Sequence, residues 1–333
     1  MNGHICLDER FSTTRLLFRG RISSNAAPES NEQGVTSASA NRENKSEGGL
    51  RTKGYLKQPL VNKPLITVIT VVFNGVQYLE NTIKSIINQT YDNIEYIVID
   101  GGSTDGTLEI VERFSEEIDY WVSERDRGIY DAMNRGISAA SGEWVSVMNA
   151  GDTFYCKESI ADTVKEFSDA TVYYSDAILY LEDKDYCYFR RLTCDASKYQ
   201  FVHQSCIYNK RLHSIHGPYV VSQGVTASDY LFFRTVPHRF WHKTETVISK
   251  YYVGDNISIG RRHDEQVCGV DLLLGSRSIN RTFAVYWYAS VMRYIRRVEK
   301  RLLAPNTYVV SRRYSKVRRE EFWRDLIETP ENS

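Results

Sequence analysis

No C-x-x-C pair occurs in this 333-residue chain, and no Cys/His spacing suits zinc. The six cysteines (Cys6, Cys156, Cys187, Cys194, Cys206 and Cys268) thus carry no metal-finger or thioredoxin-type motif. A secretory apolar stretch is also missing at the N-terminus, so a reduced, cytosolic setting is expected. No uninterrupted apolar run approaches the roughly 18–20 residues that span a bilayer; the longest, Phe283–Met292, is about half that length. Net charge is absent: 42 Lys and Arg balance 42 Asp and Glu, so bulk charge gives no support to a polyanionic partner. No G-x-G-x-x-G follows a strand-like run, which disfavours a dinucleotide oxidoreductase. His238 and His242 stand four apart, but Pro237 and Phe240-Trp241 mark a packed turn, and no zinc site is expected. What is present is an ordinary globular composition, 42% apolar and 25% charged, with 23 tyrosines of the kind that suit wet recognition surfaces.

Residues 1–60 read as a disordered extension. Ser23 to Gly49 is rich in Ser, Asn, Glu, Gly and Ala and cannot bury enough surface to offset its ordering entropy. Met1–Arg21 carries four arginines among Ser and Thr, but Asp8 and Glu9 count against a transit peptide. Order is expected from Pro64. Leu65–Phe73 is a β-branched run closed by Asn74-Gly75, and Val76–Gln89 places Leu79, Ile83, Ile86 and Ile87 at helical spacing. Ile94–Ile99, Thr107–Phe114, Ile118–Ser123, Ile129–Ala140 and Glu143–Met148 continue the alternation of strand and helix. Parallel neighbours need crossover helices, so this order predicts an α/β fold: a doubly wound, mostly parallel sheet with helices on both faces. Beyond it, Thr171–Leu181, Cys187–Leu192 and Val247–Tyr252 read as strands, and Tyr208–Ile215 and Ser228–Thr235 as helices. The expected division is a domain over 64–260, with halves 64–155 and 156–260, followed by a basic helical tail over 276–325.

Three loops then fall at strand carboxyl ends, where open sheets bind ligands. They are Phe73-Asn74-Gly75, Asp100–Gly106 and Asn149-Ala150-Gly151-Asp152. Their glycines let backbone amides approach a ligand, and the helix after Asp105 offers a partial positive charge. Asp105 reads first as a helix cap and Asp100 first as a ligand contact. Asp152, just past the end of a buried strand, is either a turn former or a functional carboxylate.

The pieces TVITVVFNGVQYLENTIKSIINQTYDNIEYIVIDGGSTDGT, SERDRGIYDAMNRGISAASGEW and VMNAGD stand in one order across Leu65–Tyr155. In that arrangement the segment resembles the nucleotide-binding half of the family 2 glycosyltransferases, inverting enzymes with the GT-A fold. The middle piece resembles the branch that builds capsular, O-antigen and exopolysaccharide chains. The resemblance implies that Val72, Phe73, Asn74, Asp100 and Gly102 line the nucleotide pocket, with Asp126 and Arg127 closing over it. Tyr130, Asp131, Asn134 and Arg135 would face the donor and acceptor cleft. Asp152, last position of the D-x-D motif, would hold Mg²⁺ or Mn²⁺ on the donor diphosphate. Asn149 replaces the first acid of that motif and would contact donor hydroxyls or metal-bound water; Gly101 replaces an acid often found beside Asp100. A hard divalent ion commonly sits on one or two carboxylates plus substrate phosphates, so one protein carboxylate can suffice.

Inverting transfer needs a base for the acceptor hydroxyl. Asp229, in Ser228-Asp229-Tyr230, lies where the family carries its catalytic carboxylate, although a helix-start Asp is equally a cap. Phe201-Val202-His203-Gln204-Ser205 resembles another segment beside the active site. His203 reads either as a donor or acceptor contact or as a structural histidine. In the tail, twelve Lys and Arg face only Glu299 between Ser276 and Arg319, interleaved with Phe283, Trp287, Tyr288 and Tyr294. That pattern suits an anionic membrane surface, with packing on the domain as the plain alternative and no nucleic-acid motif present. The expectation is a metal-dependent enzyme, cytoplasmic or peripheral at the inner membrane face, that moves a sugar from a nucleotide donor, UDP-linked by preference, to a glycan or lipid-linked hydroxyl in bacterial surface polysaccharide synthesis. A sugar-nucleotide nucleotidyltransferase and a non-catalytic nucleotide-sugar-binding or membrane scaffold protein are the alternatives.

Overall fold

The β-branched run after Pro64 forms the centre of the molecule. The computed structural model describes residues 4–20, 45–183, 186–196, 200–252 and 261–275, with isolated positions at 280, 284, 287 and 291. Two compact units divide the chain, Met1–Ser258 and Ile259–Ser333. In the second, the described element is a helix over Arg261–Leu273; nearly all of the expected basic tail lies outside the described residues.

In the first unit the strands, in chain order, are β1 (His4–Ile5), β2 (Leu17–Arg19), β3 (Ser46–Gly48), β4 (Tyr55–Leu56), β5 (Ile66–Val72), β6 (Ile94–Asp100), β7 (Tyr120–Ser123) and β8 (Trp144–Val147). They continue as β9 (Thr153–Phe154), β10 (Val172–Tyr174), β11 (Ala177–Asp183), β12 (Tyr186–Leu192), β13 (Cys206–Asn209), β14 (Trp241–Lys243) and β15 (Ser249–Tyr252). The helices are α1 (Ser12–Arg15), α2 (Leu79–Ile87), α3 (Thr107–Arg113), α4 (Ile129–Ala139), α5 (Ser159–Lys165), α6 (Leu212–His216) and α7 (Ser228–Thr235).

The main sheet runs β14-β10-β13-β8-β5-β6-β7-β3. Its centre, β8-β5-β6-β7, is parallel throughout. β13 and β3 run antiparallel to β8 and β7, respectively. Every residue of β5 and β6 is buried, as a parallel strand covered on both faces must be. Successive side chains point to opposite faces. Ile66 and Val68 therefore meet α2, α3 and α5 in one core, while Ile69 and Val71 meet α4, α6 and α7 in the other. Helices this short are marginal alone, and their buried stripes hold them in place. A second sheet, β12-β11-β15-β9, begins at β9, immediately after Asp152.

Two expectations are corrected here. Residues 1–60 are not all disordered. β1, β2 and β4 form a small sheet, β3 lengthens the main sheet beside β7, and Leu50 is fully buried. Arg51 joins this segment to the domain through an ion pair with Glu95 and a 2.8 Å bond to the Ala139 carbonyl. Such order rests on tertiary partners, to which local composition is blind. Likewise Tyr208–Ile215 is not one helix: Cys206–Asn209 is a strand paired with β8 and β10, and only Leu212–His216 is helical. The residues 21–44 lie outside those described.

Candidate active site

The loops at the carboxyl edge of β5, β6, β7 and β8 are laced to one another. Asn74 adopts φ +50, donates its amide to Ser103 Oγ at 2.7 Å and accepts the Thr104 amide on Oδ1 at 2.9 Å. Asp105 accepts the Thr107 amide at the start of α3 and the Val76 amide across the gap, both at 3.1 Å. Burial opposes ionisation of Asp105, but these bonds win and hold its carboxyl below the ordinary range. The cap position of α3 itself is Gly106.

Asp100 already has partners within the protein. It is buried, and both its oxygens are occupied within the protein: Ser103 donates to each of them, and Ser123 Oγ donates to Oδ2 at 2.6 Å. Its observed work is to hold the β6 and β7 ends together. Val72 is buried too, which leaves Phe73, 65% exposed, and Asn74 as the open side chains of that edge. The glycine at 101 has a physical reason: a Cβ there would stand 2.8 Å from Asp126 Oδ2. Gly102 is at φ +82, and a Cβ there would stand 3.2 Å from the Arg125 backbone nitrogen. Asp126 thus occupies the space next to Asp100 that a second acid at 101 would need.

Farther along this edge, six side chains from four segments meet. Asp152 is buried; Oδ1 accepts the Tyr252 amide and Oδ2 accepts Gln204 Nε2, each at 2.8 Å. Neither donor is charged, so burial dominates and pushes this carboxyl up to about 7. Thr82 of α2 braces the turn, donating to the Asp152 carbonyl at 2.8 Å and accepting the Gly151 amide at 3.0 Å. Asn149 Nδ2 lies 3.4 Å from His203 Nε2, and Asn149 Oδ1 is buried with no hydrogen-bond partner.

His203 Nδ1 lies 2.8 Å from Asp229 Oδ2, and Tyr130 donates its hydroxyl to Asp229 Oδ1 at 2.6 Å. For Asp229 burial again raises the carboxyl, but the His203 bond and charge and the Tyr130 bond outweigh it. Its value is brought down to about 2. Its place in the first turn of α7 adds a favourable helix dipole. Asp229 is therefore an ionised acceptor at neutral pH, beside a buried carboxylate that has no cationic donor of its own.

Other expected residues are placed differently. Asn134 is a clamp, exchanging two bonds of 2.8 and 2.9 Å with the Tyr219 backbone. Arg135 pairs with Glu124 at 2.7 Å and with Asp131 at 3.4 Å. Arg127 is exposed and pairs with Asp131 at 2.9 Å, while Asp126 accepts the Gly128 amide. These contacts shape the β7–α4 corner and do not enter the Asp152–Asp229 cluster. Thr82 and the Tyr252 backbone escaped sequence reasoning. Thr82 reads only as a polar residue of an amphipathic helix, and Tyr252 reaches Asp152 across 100 residues through a backbone group common to nearly all residues.

Comparison with known proteins fits this geometry. Residues 67–225 match the model described as Glycosyl transferase family 2. An uncharacterized glycosyltransferase of Mycobacterium tuberculosis strain H37Rv is 39% identical over 110 residues, which cover 33% of this chain and 42% of that protein. The PGL/p-HBAD biosynthesis glycosyltransferase of Mycobacterium bovis strain BCG is 30% identical over 178 residues, 49% of this chain and 66% of the relative. Among solved structures, the Pyrobaculum calidifontis mannosyltransferase PcManGT, in complex with GDP-Man and Mn²⁺, aligns with TM-score 0.52 at 16% identity over 79% of this chain and 82% of that one. S. aureus TarS 1–349 in complex with UDP-GlcNAc aligns with TM-score 0.50 at 19% identity, over 63% and 65% of the two chains. The fold is that of these GT-A structures. Residues 67–225 are thus similar to family 2 glycosyltransferase domains.

Proposed function

We propose that this chain is an inverting glycosyltransferase. It moves a sugar from a nucleotide donor, UDP-linked by preference, to a hydroxyl of a glycan or lipid-linked acceptor in bacterial surface polysaccharide synthesis. The observation that carries the reading is the meeting of Asp152, Asn149, His203, Gln204, Asp229 and Tyr130 at the carboxyl edge of the sheet. Phe73 and Asn74 are the side chains open to a nucleotide at the same edge.

A divalent cation fits the residues present. Among the described residues no group of three or more His, Cys, Asp and Glu gathers for one. Yet a buried carboxylate without a cationic partner and an orphaned amide oxygen on Asn149 are oxygen donors of the kind hard ions prefer. Asp152 would hold Mg²⁺ or Mn²⁺, which when bound neutralises charge on the departing diphosphate.

Asp229 would take the acceptor proton. At about 2 it is fully ionised but a weak base at rest. It becomes adequate as the new bond to the anomeric carbon makes the acceptor oxygen acidic, so proton transfer comes late. Tyr130 and His203 fix the direction in which its carboxylate points. A nucleotidyltransferase is disfavoured because the β5 end carries Phe73-Asn74-Gly75 in place of a basic, Gly-rich loop. Among the described residues no helix is long and apolar enough to cross a membrane. Attachment at the inner membrane face would fall to the basic residues of 276–325. A thermal-shift panel of UDP-, GDP- and dTDP-sugars with and without Mn²⁺ tests the reading. Metal-dependent stabilisation by one of them is expected, and none by any of them would overturn it.

A further inference from the structure

Gln204 stands in a fixed frame. Its 3₁₀ turn, His203–Ser205, closes with the Ser205 amide on the Val202 carbonyl at 2.9 Å. The Ser205 carbonyl accepts the Ser175 amide at 3.1 Å, and Ser205 Oγ meets Ser249 Oγ at 2.5 Å. The side chain is 2% exposed; one end of its amide donates to Asp152 Oδ2, and the other end, Oε1, is buried with no hydrogen-bond partner. A buried acceptor left unpaired bears its full desolvation cost. Two orphaned amide oxygens, on Gln204 and Asn149, thus accompany a buried carboxylate that has no cation. The local shortage is of positive charge, not of acceptors.

We propose that Gln204 is a neutral ligand of the divalent ion at Asp152, its amide turning end for end so that Oε1 and an Asp152 oxygen bind the same cation. The inference rests on the reading that Asp152 is the metal carboxylate. Turning an amide exchanges two atoms of nearly equal size and needs no backbone motion. Gln204 Nε2 now lies 2.8 Å from Asp152 Oδ2. Adjacent ligands of an octahedral ion with bonds of 2.0–2.1 Å stand about 3 Å apart. Both side chains are therefore already at ligand separation. Gln204 adds a protein oxygen from another segment where the motif lacks a second carboxylate at position 149. Being neutral, it leaves more of the ion's charge for a diphosphate.

Mn²⁺ titration of the full chain, followed by electron paramagnetic resonance with and without UDP, tests this. Gln204→Ala should weaken Mn²⁺ binding about tenfold or more. Gln204→Glu decides between roles. As a ligand, the introduced carboxylate adds charge and tightens Mn²⁺ about tenfold, while the metal-free variant melts below wild type and recovers with Mn²⁺. If Gln204 only anchors Asp152 through its N–H, Gln204→Glu loses the donor and weakens Mn²⁺ as Gln204→Ala does, which overturns the inference. Asp152→Asn separates the two failures. Wild-type Mn²⁺ binding that survives this change overturns the Asp152 reading and this inference with it. Binding that is lost in Asp152→Asn but indifferent to Gln204 overturns this inference alone.

Discussion

Asp152 and Asp229 belong to one site, and their surroundings displace them in opposite directions. Both lose water. Asp152 gains only a backbone amide and a neutral carboxamide, and its carboxyl rises to about 7. Asp229 gains a histidine, a tyrosine hydroxyl and a helix start, and falls to about 2. The first has no cationic donor among the described residues, which suits the proposed metal. The second has its partners built in and stays ionised without help. Two buried acids are thus displaced in opposite directions by the donors and charges that surround them.

Asp152→Asn should break this contrast most severely. Transfer should fall by at least about 10³-fold, read as nucleotide release from the donor. Metal-free stability should change in the other direction. The folded protein keeps a proton on Asp152 up to about pH 7, whereas the unfolded chain loses it near pH 4. Wild-type stability therefore falls as pH rises between those values, by ~4 kcal/mol in all. Asp229 works the opposite way: its contribution is complete above about pH 4 and is lost as pH falls toward 2. Urea unfolding of Asp152→Asn without metal should show the first slope gone and the second kept. A wild-type slope unchanged in the variant would mean that the carboxyl at 152 is not raised.

Tyr130→Phe should have the smaller effect and sharpen the comparison. It removes one donor from Asp229 and leaves His203 in place. Turnover should drop several-fold, and the acid limb of the pH–rate profile should move up by about one to two pH units. A limb that stays put would show that the Tyr130 hydroxyl does not hold Asp229 ionised.

The two halves of the domain were unequally legible in the sequence. From Ile66 to Val147 strand and helix alternate with unbroken apolar periodicity, and the expected elements match the observed ones to within about three residues at each end. Past Asp152 the regular alternation of strand and helix stops, and in the four-residue strand Cys206-Ile207-Tyr208-Asn209 it is the pairing with β8 and β10 on either side that sets the conformation. The ordered 4–20 and 45–60 segments fail for the same reason, since Arg51 finds its partners only in the folded domain. In the site, Asp152, His203, Gln204, Asp229, Tyr130 and Asn149 were all named from family resemblance, and the structure brings them together. What the residues could not reveal was their hydrogen bonding. Asp100 bonds to Ser103 and Ser123 and Asn134 to the Tyr219 backbone, partners that no local pattern announces.

The most direct measurement of the central claim compares donor binding with turnover in Asp229→Asn. The substitution keeps the shape, leaves Asp152 and Gln204 untouched and removes the proton acceptor. Calorimetry with the nucleotide sugar that best stabilises the wild type should give an affinity within about threefold of the wild-type value. Nucleotide release should fall by about 10²–10⁴-fold, the usual weight of a general base. Turnover kept within about tenfold of wild type, or donor affinity lost together with turnover, would contradict the assignment of Asp229 as the base.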